Sequence, residues 1–189
     1  MSWIQTHTGK KFDILNIKEE DIDIFDIAHS LSLQCRFNGH CDFFYSTVEH
    51  SILVYDIVKE YGHDESLLSA LLHDSAETFI GDLCAPFKRL FTFNNYRMIE
   101  SKIEEVIQKK YKCYFHNLII KQADIDALYI EYKQLFSNQS IEWNIFNEIT
   151  PNKYLLEKFP LKFWWPKEAE LYFLDIFNEL YRSEYIGIK

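Results

Sequence analysis

Glycine and proline are scarce, with 5 and 4 residues in a chain of 189. So little punctuation excludes a chain of many short, turn-separated elements and favours long helices. Basic residues are outnumbered: 20 Lys and Arg stand against 29 Asp and Glu, for a net charge of -9. A surface that tracks nucleic-acid phosphates needs the opposite balance, so a general nucleic-acid binder is excluded, although a few local cations suffice for a small phosphate ester. No apolar stretch reaches the roughly 18–20 residues that span a bilayer, which argues against a membrane partner. The start Met1–Gln5 has neither the basic nor the apolar region of a signal peptide. The four cysteines, Cys35, Cys41, Cys84 and Cys113, show no CxxC spacing. They read as reduced, mostly buried thiols of a cytoplasmic protein. Internal repeats, low-complexity segments and linkers are missing too.

What is present is ordinary in proportion. Apolar residues make up 48% and charged residues 26%, as in a soluble protein with one core, so residues 1–189 read as a single domain. The aromatic share, 17%, is high and puts Phe and Tyr packing through much of the interior. A tight turn at Thr8-Gly9-Lys10 predicts a small hairpin of Trp3–Thr6 with Lys11–Ile14. Apolar spacing then predicts helices over Asp21–Leu33 and Ser46–Lys59, the second ended by Gly62. A third runs from Leu67 to about Phe79, capped by Asp64 or Ser66 and apolar nearly all round through Leu72, hence central. Helices over Asn95–Tyr111 and Leu118–Phe136 follow, and Pro166 opens a last one. Gly81–Pro86 reads as a loop and Ser137–Pro160 as irregular. The fold class is all-α with a short N-terminal β-hairpin.

At the end of the third helix stands His73-Asp74, in Ala70-Leu-Leu-His-Asp-Ser-Ala-Glu77. An imidazole and a carboxylate at the end of an apolar run call for a bridge, and a divalent metal is the natural one. His50, Asp82 and Asp124 are placed to complete such a site, but spacing alone does not bring them together. Each residue also has a plainer reading. His50 alone is as readily a core histidine, and His73-Asp74 a hydrogen-bonded pair. The chain carries a second pair, His63-Asp64, which follows Gly62 and reads as structural. Glu77 could be an exposed helix-end charge, Asp82 a turn residue, Lys88, Arg89 and Lys121 solvated cations, and Arg36 the anchor of a loop carboxylate. His40 supports a site or only closes the Asn38-Gly39 turn. Phe37 and Phe79 stack on a base or fill the core. His7, His29 and His116 read as structural.

Taken together, Arg36-Phe-Asn-Gly-His40, Phe44-Tyr-Ser-Thr-Val-Glu-His-Ser51, Leu71-Leu-His-Asp-Ser-Ala-Glu77, Gly81-Asp-Leu-Cys-Ala-Pro-Phe-Lys88, Lys121-Gln-Ala-Asp124 with Glu131, and Trp164-Trp-Pro-Lys-Glu-Ala169 resemble the HD-domain metal-dependent phosphohydrolase superfamily. They are similar in particular to its small bacterial and phage branch of 5′-deoxynucleotidases and dATP triphosphohydrolases. The resemblance covers most of the chain and is weakest at residues 111–118 and 137–161. It implies an HD-type helical bundle and a divalent metal ion, Co, Mn, Zn or Mg, held by His50, His73, Asp74 and Asp124. It implies that Glu77 orients or deprotonates the attacking water, that Asp82 assists proton transfer, and that Arg36, Lys88 and Lys121 grip the phosphate, with Phe37 against base or sugar. The reaction so implied is attack of metal-activated water on the α-phosphorus of a 2′-deoxynucleotide, releasing a nucleoside from a monophosphate or triphosphate from a dNTP. A homo-oligomer, dimer or hexamer, in the cytoplasm of a bacterium or of a phage's host, is implied as well, with Phe163-Trp-Trp165 either contributing an interface or filling the core. One departure stands out: Cys84 occupies a position where related Gly-Asp-Leu loops commonly carry proline. Two other classes of function remain, a non-catalytic nucleotide-binding module and a hydrolase of a cyclic or oligonucleotide signal. Glu77 and Asp82 argue against the first, because a sensor needs no carboxylates to handle water. The lack of a His-His pair argues against the second.

Overall fold

The computed structural model of the protein describes residues 3–141 and 143–186, with side-chain surroundings up to residue 182. Strands β1 (Trp3–Gln5) and β2 (Lys11–Asp13) pair antiparallel with Ile4 opposite Phe12. Gly9, at φ +82°, makes the turn between them. The hairpin docks on the bundle through Asp26, which accepts from the Thr8 amide (2.6 Å) and hydroxyl (2.8 Å). Everything after it is helix and loop, in the order α1 (Ile24–Leu33), α2 (Thr47–Glu60), α3 (Leu67–Leu72), α4 (Glu77–Ile80), α5 (Ala85–Lys88), α6 (Asn94–Tyr111), α7 (Leu118–Leu135), α8 (Ile145–Glu148), α9 (Leu155–Lys158) and α10 (Pro166–Ile186). The all-α expectation with a short N-terminal hairpin is what the structure shows.

The packing explains where a site can form. Helix α2 lies at the centre, against α1, α3, α7 and α10. From Thr47 to Val58 only Asp56 escapes burial. Such a helix cannot be amphipathic, so its polar residues, Glu49, His50 and Ser51, end up inside. Ser46 caps it: its hydroxyl accepts from the Glu49 amide, and Glu49 Oε2 accepts from the Ser46 amide at 2.8 Å, a reciprocal box. All six residues of α3 are buried, as its apolar sequence predicts. Neither Asp64 nor Ser66 caps it through a side chain: Asp64 lies in a 3-10 turn, and the Ser66 hydroxyl instead accepts from Asn117 Nδ2 at 3.0 Å.

One expected helix is broken. Leu67 to Phe79 is not continuous; residues 73–76 form a turn between α3 and α4. His73 Nδ1 donates to the Ala70 carbonyl (2.8 Å) and the Ser75 hydroxyl to that of Leu72 (2.5 Å). The Leu72 carbonyl also accepts the Ser75 amide at 2.9 Å, so the chain tightens there into i→i+3 turns that these side chains support. Within the irregular stretch 137–160, α8 and α9 form, and Asn152 is pinned to α7 by its amide donating to Asp126 at 2.6 Å. The Gly81–Pro86 loop ends in the single turn of α5. The cysteines are half-buried rather than mostly buried. Phe163 and Trp165 are exposed, 43% and 77%, so these two do not fill the core. No helix among the described residues is long and apolar enough to cross a membrane.

Candidate metal centre

Three elements deliver the site. His50 comes from the buried second turn of α2, His73 and Asp74 from the turn after α3, and Asp124 from the middle of α7. His50 Nε2 lies 3.5 Å from Asp74 Oδ2 and 3.2 Å from Asp124 Oδ1, and His73 Nε2 lies 3.3 Å from Asp74 Oδ2. One ligand atom each from His50, His73 and Asp74 falls within 4.8 Å of the others, so these three could hold a metal ion.

The far side of each ring fixes its role. His50 Nδ1 bonds Glu131 Oε1 at 2.6 Å, and His73 Nδ1 donates to the Ala70 carbonyl. Both Nε2 atoms are buried and make no hydrogen bond, although a carboxylate oxygen is near. Two imidazoles with Nδ1 committed to donation and Nε2 aimed at a shared carboxylate have the arrangement of metal ligands backed by an outer shell. The donor set, two nitrogens and carboxylate oxygens, fits a divalent transition metal.

The local charge points the same way. Six carboxyl groups gather here, from Asp74, Glu77, Asp82, Glu100, Asp124 and Glu131, around two fixed cations, Arg36 and Lys88. Burial disfavours the charged form of Asp74, yet His73, His50 and Arg36 together hold it below the usual carboxylate range. Asp124 is depressed too; burial opposes this, and the adjacent His50 imidazole overcomes it. Burial and Arg36 act against a proton on His50, but Glu131 and Asp124 prevail and push the imidazole up to about 10. Glu77 moves the other way. Burial, then Asp74 and Asp82, push its carboxyl well above its ordinary value, against Lys88 and Arg36.

The remaining expected residues divide. Glu77 is no exposed helix-end charge: it is buried, and Oε1 pairs with Lys88 Nζ at 3.0 Å. Lys88 also pairs with Glu100 at 2.7 Å. Asp82 Oδ2 lies 3.7 Å from Arg36 Nη1. Arg36 reaches Asp74 (3.7 Å) and Glu131 (3.3 Å) as well, so it anchors carboxylates at the centre of the cluster. Lys121 is exposed a turn before Asp124 and pairs with no carboxylate among the described residues. Phe37 is half-buried between Phe136 and Trp143, with the Arg36 guanidinium over its ring. Phe79 stacks on Phe12 in the core. His63 faces Glu65 in solvent, His29 pairs with Glu170 and stacks on His7, and His40 is exposed. Two contributors carry no role in the sequence reading, although Glu131 belongs to the motif of Lys121–Asp124. Glu131 stands two helical turns beyond Asp124 on the same face of α7, and that period is the signal that marks it. Gln34 receives the Asp82 amide (3.1 Å) and donates to the Glu77 carbonyl (3.1 Å), and nothing in its sequence context announces it.

The fold and this cluster define a helical protein with a candidate metal centre enclosed by its core helices. No protein-family model matches the chain. Over 181 residues it is 36% identical to the uncharacterized protein YfdR of Escherichia coli (strain K12), spanning 95% of this chain and 96% of that one, and it belongs to the YfdR family. It is also 37% identical over 92 residues to the uncharacterized protein RCAP_rcc00048 of Rhodobacter capsulatus, which covers 46% of this chain and 47% of the other.

Proposed function

We propose that the protein is a metal-dependent phosphohydrolase of 2′-deoxynucleotides, of the HD-domain type. The observation that carries this reading is the convergence of His50, His73, Asp74 and Asp124 from three separate elements, with Glu77 and Asp82 beside them. Those four side chains would hold a divalent ion. When bound, such an ion supplies a Lewis acid and lowers the pKa of water at neutral pH.

The chain's own residues supply the rest. Glu77, buried beside Asp74 and Asp82, which with burial push its carboxyl upward, would accept a proton from the attacking water. Asp82, held against Arg36, would assist in passing the proton taken from water to the leaving oxygen. Arg36 and Lys88 offset charge on the phosphoryl oxygens as the bond breaks. Both cations are already committed to carboxylates, so an anionic substrate must exchange partners with them. A phosphate cannot enter so acidic a cluster unless a cation enters with it, and this electrostatic requirement favours a metal-assisted reaction over a purely cationic phosphate pocket. Lys121, exposed on the rim, meets the incoming phosphate, and Phe37 borders base or sugar. We take the active form to be a homo-oligomer.

The test is a panel of dNMPs, NMPs and dNTPs incubated with Co²⁺, Mn²⁺, Zn²⁺ or Mg²⁺. Release of nucleoside and phosphate, or of triphosphate, is the expected result. Binding without turnover under every metal would instead identify a nucleotide-binding module.

A further inference from the structure

We propose that Cys35 and Cys41 are a modification site: a hydroperoxide closes them into a disulfide that reshapes the loop carrying Arg36. Their sulfurs lie 3.9 Å apart across the loop of residues 36–40. Phe37, Asn38 and Gly39 all have positive φ (57°, 52° and 75°), and this left-handed coil brings the loop's two ends together. Both thiols are half-buried, within reach of a small oxidant. The flanks are anchored: Cys35 bridges Ser46, the Arg36 amide donates to the Tyr45 carbonyl (2.9 Å), and the Asp42 amide donates to that of Leu135 (2.9 Å). Between these anchors Asn38, Gly39 and His40 are exposed. The sulfurs must close to about 2.0 Å, so side-chain rotation and the exposed loop residues take up the movement.

The chemistry balances with one peroxide. The Cys35 sulfur attacks a peroxide oxygen and the O–O bond breaks, giving a sulfenic acid and water. The Cys41 sulfur then attacks the sulfenyl sulfur, forming S–S and breaking S–O, and a second water leaves with the remaining thiol proton. Two electrons pass from the sulfurs to the peroxide. Burial and the neighbouring Cys35 push the Cys41 thiol up to about 11, which disfavours its thiolate and leaves the first attack to Cys35. Arg36 is the link to the site, because its carbonyl lies 3.8 Å from Cys41 Sγ and its guanidinium touches Asp74, Asp82 and Glu131. That the disulfide alters turnover rests on the hydrolase reading; the pairing itself does not.

The experiment treats the full-length protein with hydrogen peroxide, blocks residual thiols with iodoacetamide and maps the peptides. The expected result is a linked Cys35–Cys41 peptide, a mass lower by about 2 Da, and reversal by a dithiol reductant. Cys84 and Cys113 remain alkylated. Hydrogen exchange across residues 36–46 changes in the oxidised wild type, but not in Cys41→Ser or Cys35→Ser treated alike. Nucleotide hydrolysis falls by roughly tenfold or more in the oxidised wild type and recovers on reduction. Alkylation of both Cys35 and Cys41 after peroxide, or their pairing elsewhere, overturns the inference. A mapped disulfide with unchanged exchange and unchanged turnover overturns its coupling to Arg36. A mapped disulfide with altered exchange, in a protein that hydrolyses no nucleotide when reduced, supports the modification site and overturns the hydrolase reading alone.

Discussion

Glu131 holds His50 by Nδ1 at 2.6 Å and Arg36 by Nη2 at 3.3 Å, with no exposure of its own. A single buried carboxyl thus orients one candidate ligand and one candidate phosphate contact. Outer-shell carboxylates of this kind raise ligand basicity and fix ring orientation. Glu131→Ala is therefore expected to weaken metal affinity by roughly 10–100-fold, read by titration of the metal-free protein with Co²⁺ or Mn²⁺. Asp74 behaves differently, because it stands within 3.5 Å of both imidazoles. Asp74→Ala should lose metal and activity together. Glu77 touches neither imidazole and pairs instead with Lys88. Glu77→Gln should keep its metal content and lose about a hundredfold or more in turnover. Normal turnover in that variant would remove Glu77 from the mechanism.

At the scale of elements, the turn 73–76 and the loop after α4 do the positioning. Gly81 sits at φ +81° and ψ 156°, a backbone conformation open essentially to glycine alone. Nothing lies within 4 Å of where a Cβ would stand, so the constraint there is conformational and not steric crowding. Gly81→Ala should cost about 1–3 kcal/mol in denaturant melts. It should also lower turnover more than metal affinity, since Asp82 follows directly while the metal ligands stand on other elements. Much of the fold is legible in the apolar spacing: α2, α6 and α7 run within a residue or two of where periodicity puts them. The break after Leu72 is not, because His73 and Ser75 look like helix residues until their side chains are seen on the Ala70 and Leu72 carbonyls. The approach of Asp124 to His50 is not legible from spacing either, since it depends on α7 packing against α2. The motif comparison anticipates that meeting; the Gln34 bridge to Asp82 and Glu77 depends on tertiary contacts that no local pattern encodes.

The molecule as a whole carries excess acid, and one carboxyl outside the metal centre tests how that excess bears on stability. Asp56, the only residue between Thr47 and Val58 of α2 that is not buried, lines a cavity of about 300 Å³ with Lys158, Lys162, Trp164 and Tyr172. Burial raises its pKa to about 6, against the pull of Lys59 and Lys162. In the unfolded chain the same carboxyl titrates near its ordinary value of about 3.9. The native state therefore binds the proton more tightly, and folding loses stability as pH rises from the unfolded value through the folded one. Below both values the penalty is absent; above about pH 6 it is fully present, at no more than about 3 kcal/mol. Asp56→Asn removes the charge while keeping the shape. It should raise the melting temperature by several degrees near pH 8, and the gain should shrink as pH falls and vanish below about pH 3.5. Thermal melts of both proteins across that range would decide it. A gain of equal size at both ends would mean that the amide repacks the cavity, and no gain at pH 8 would mean that Lys59 and Lys162 already neutralise the buried charge.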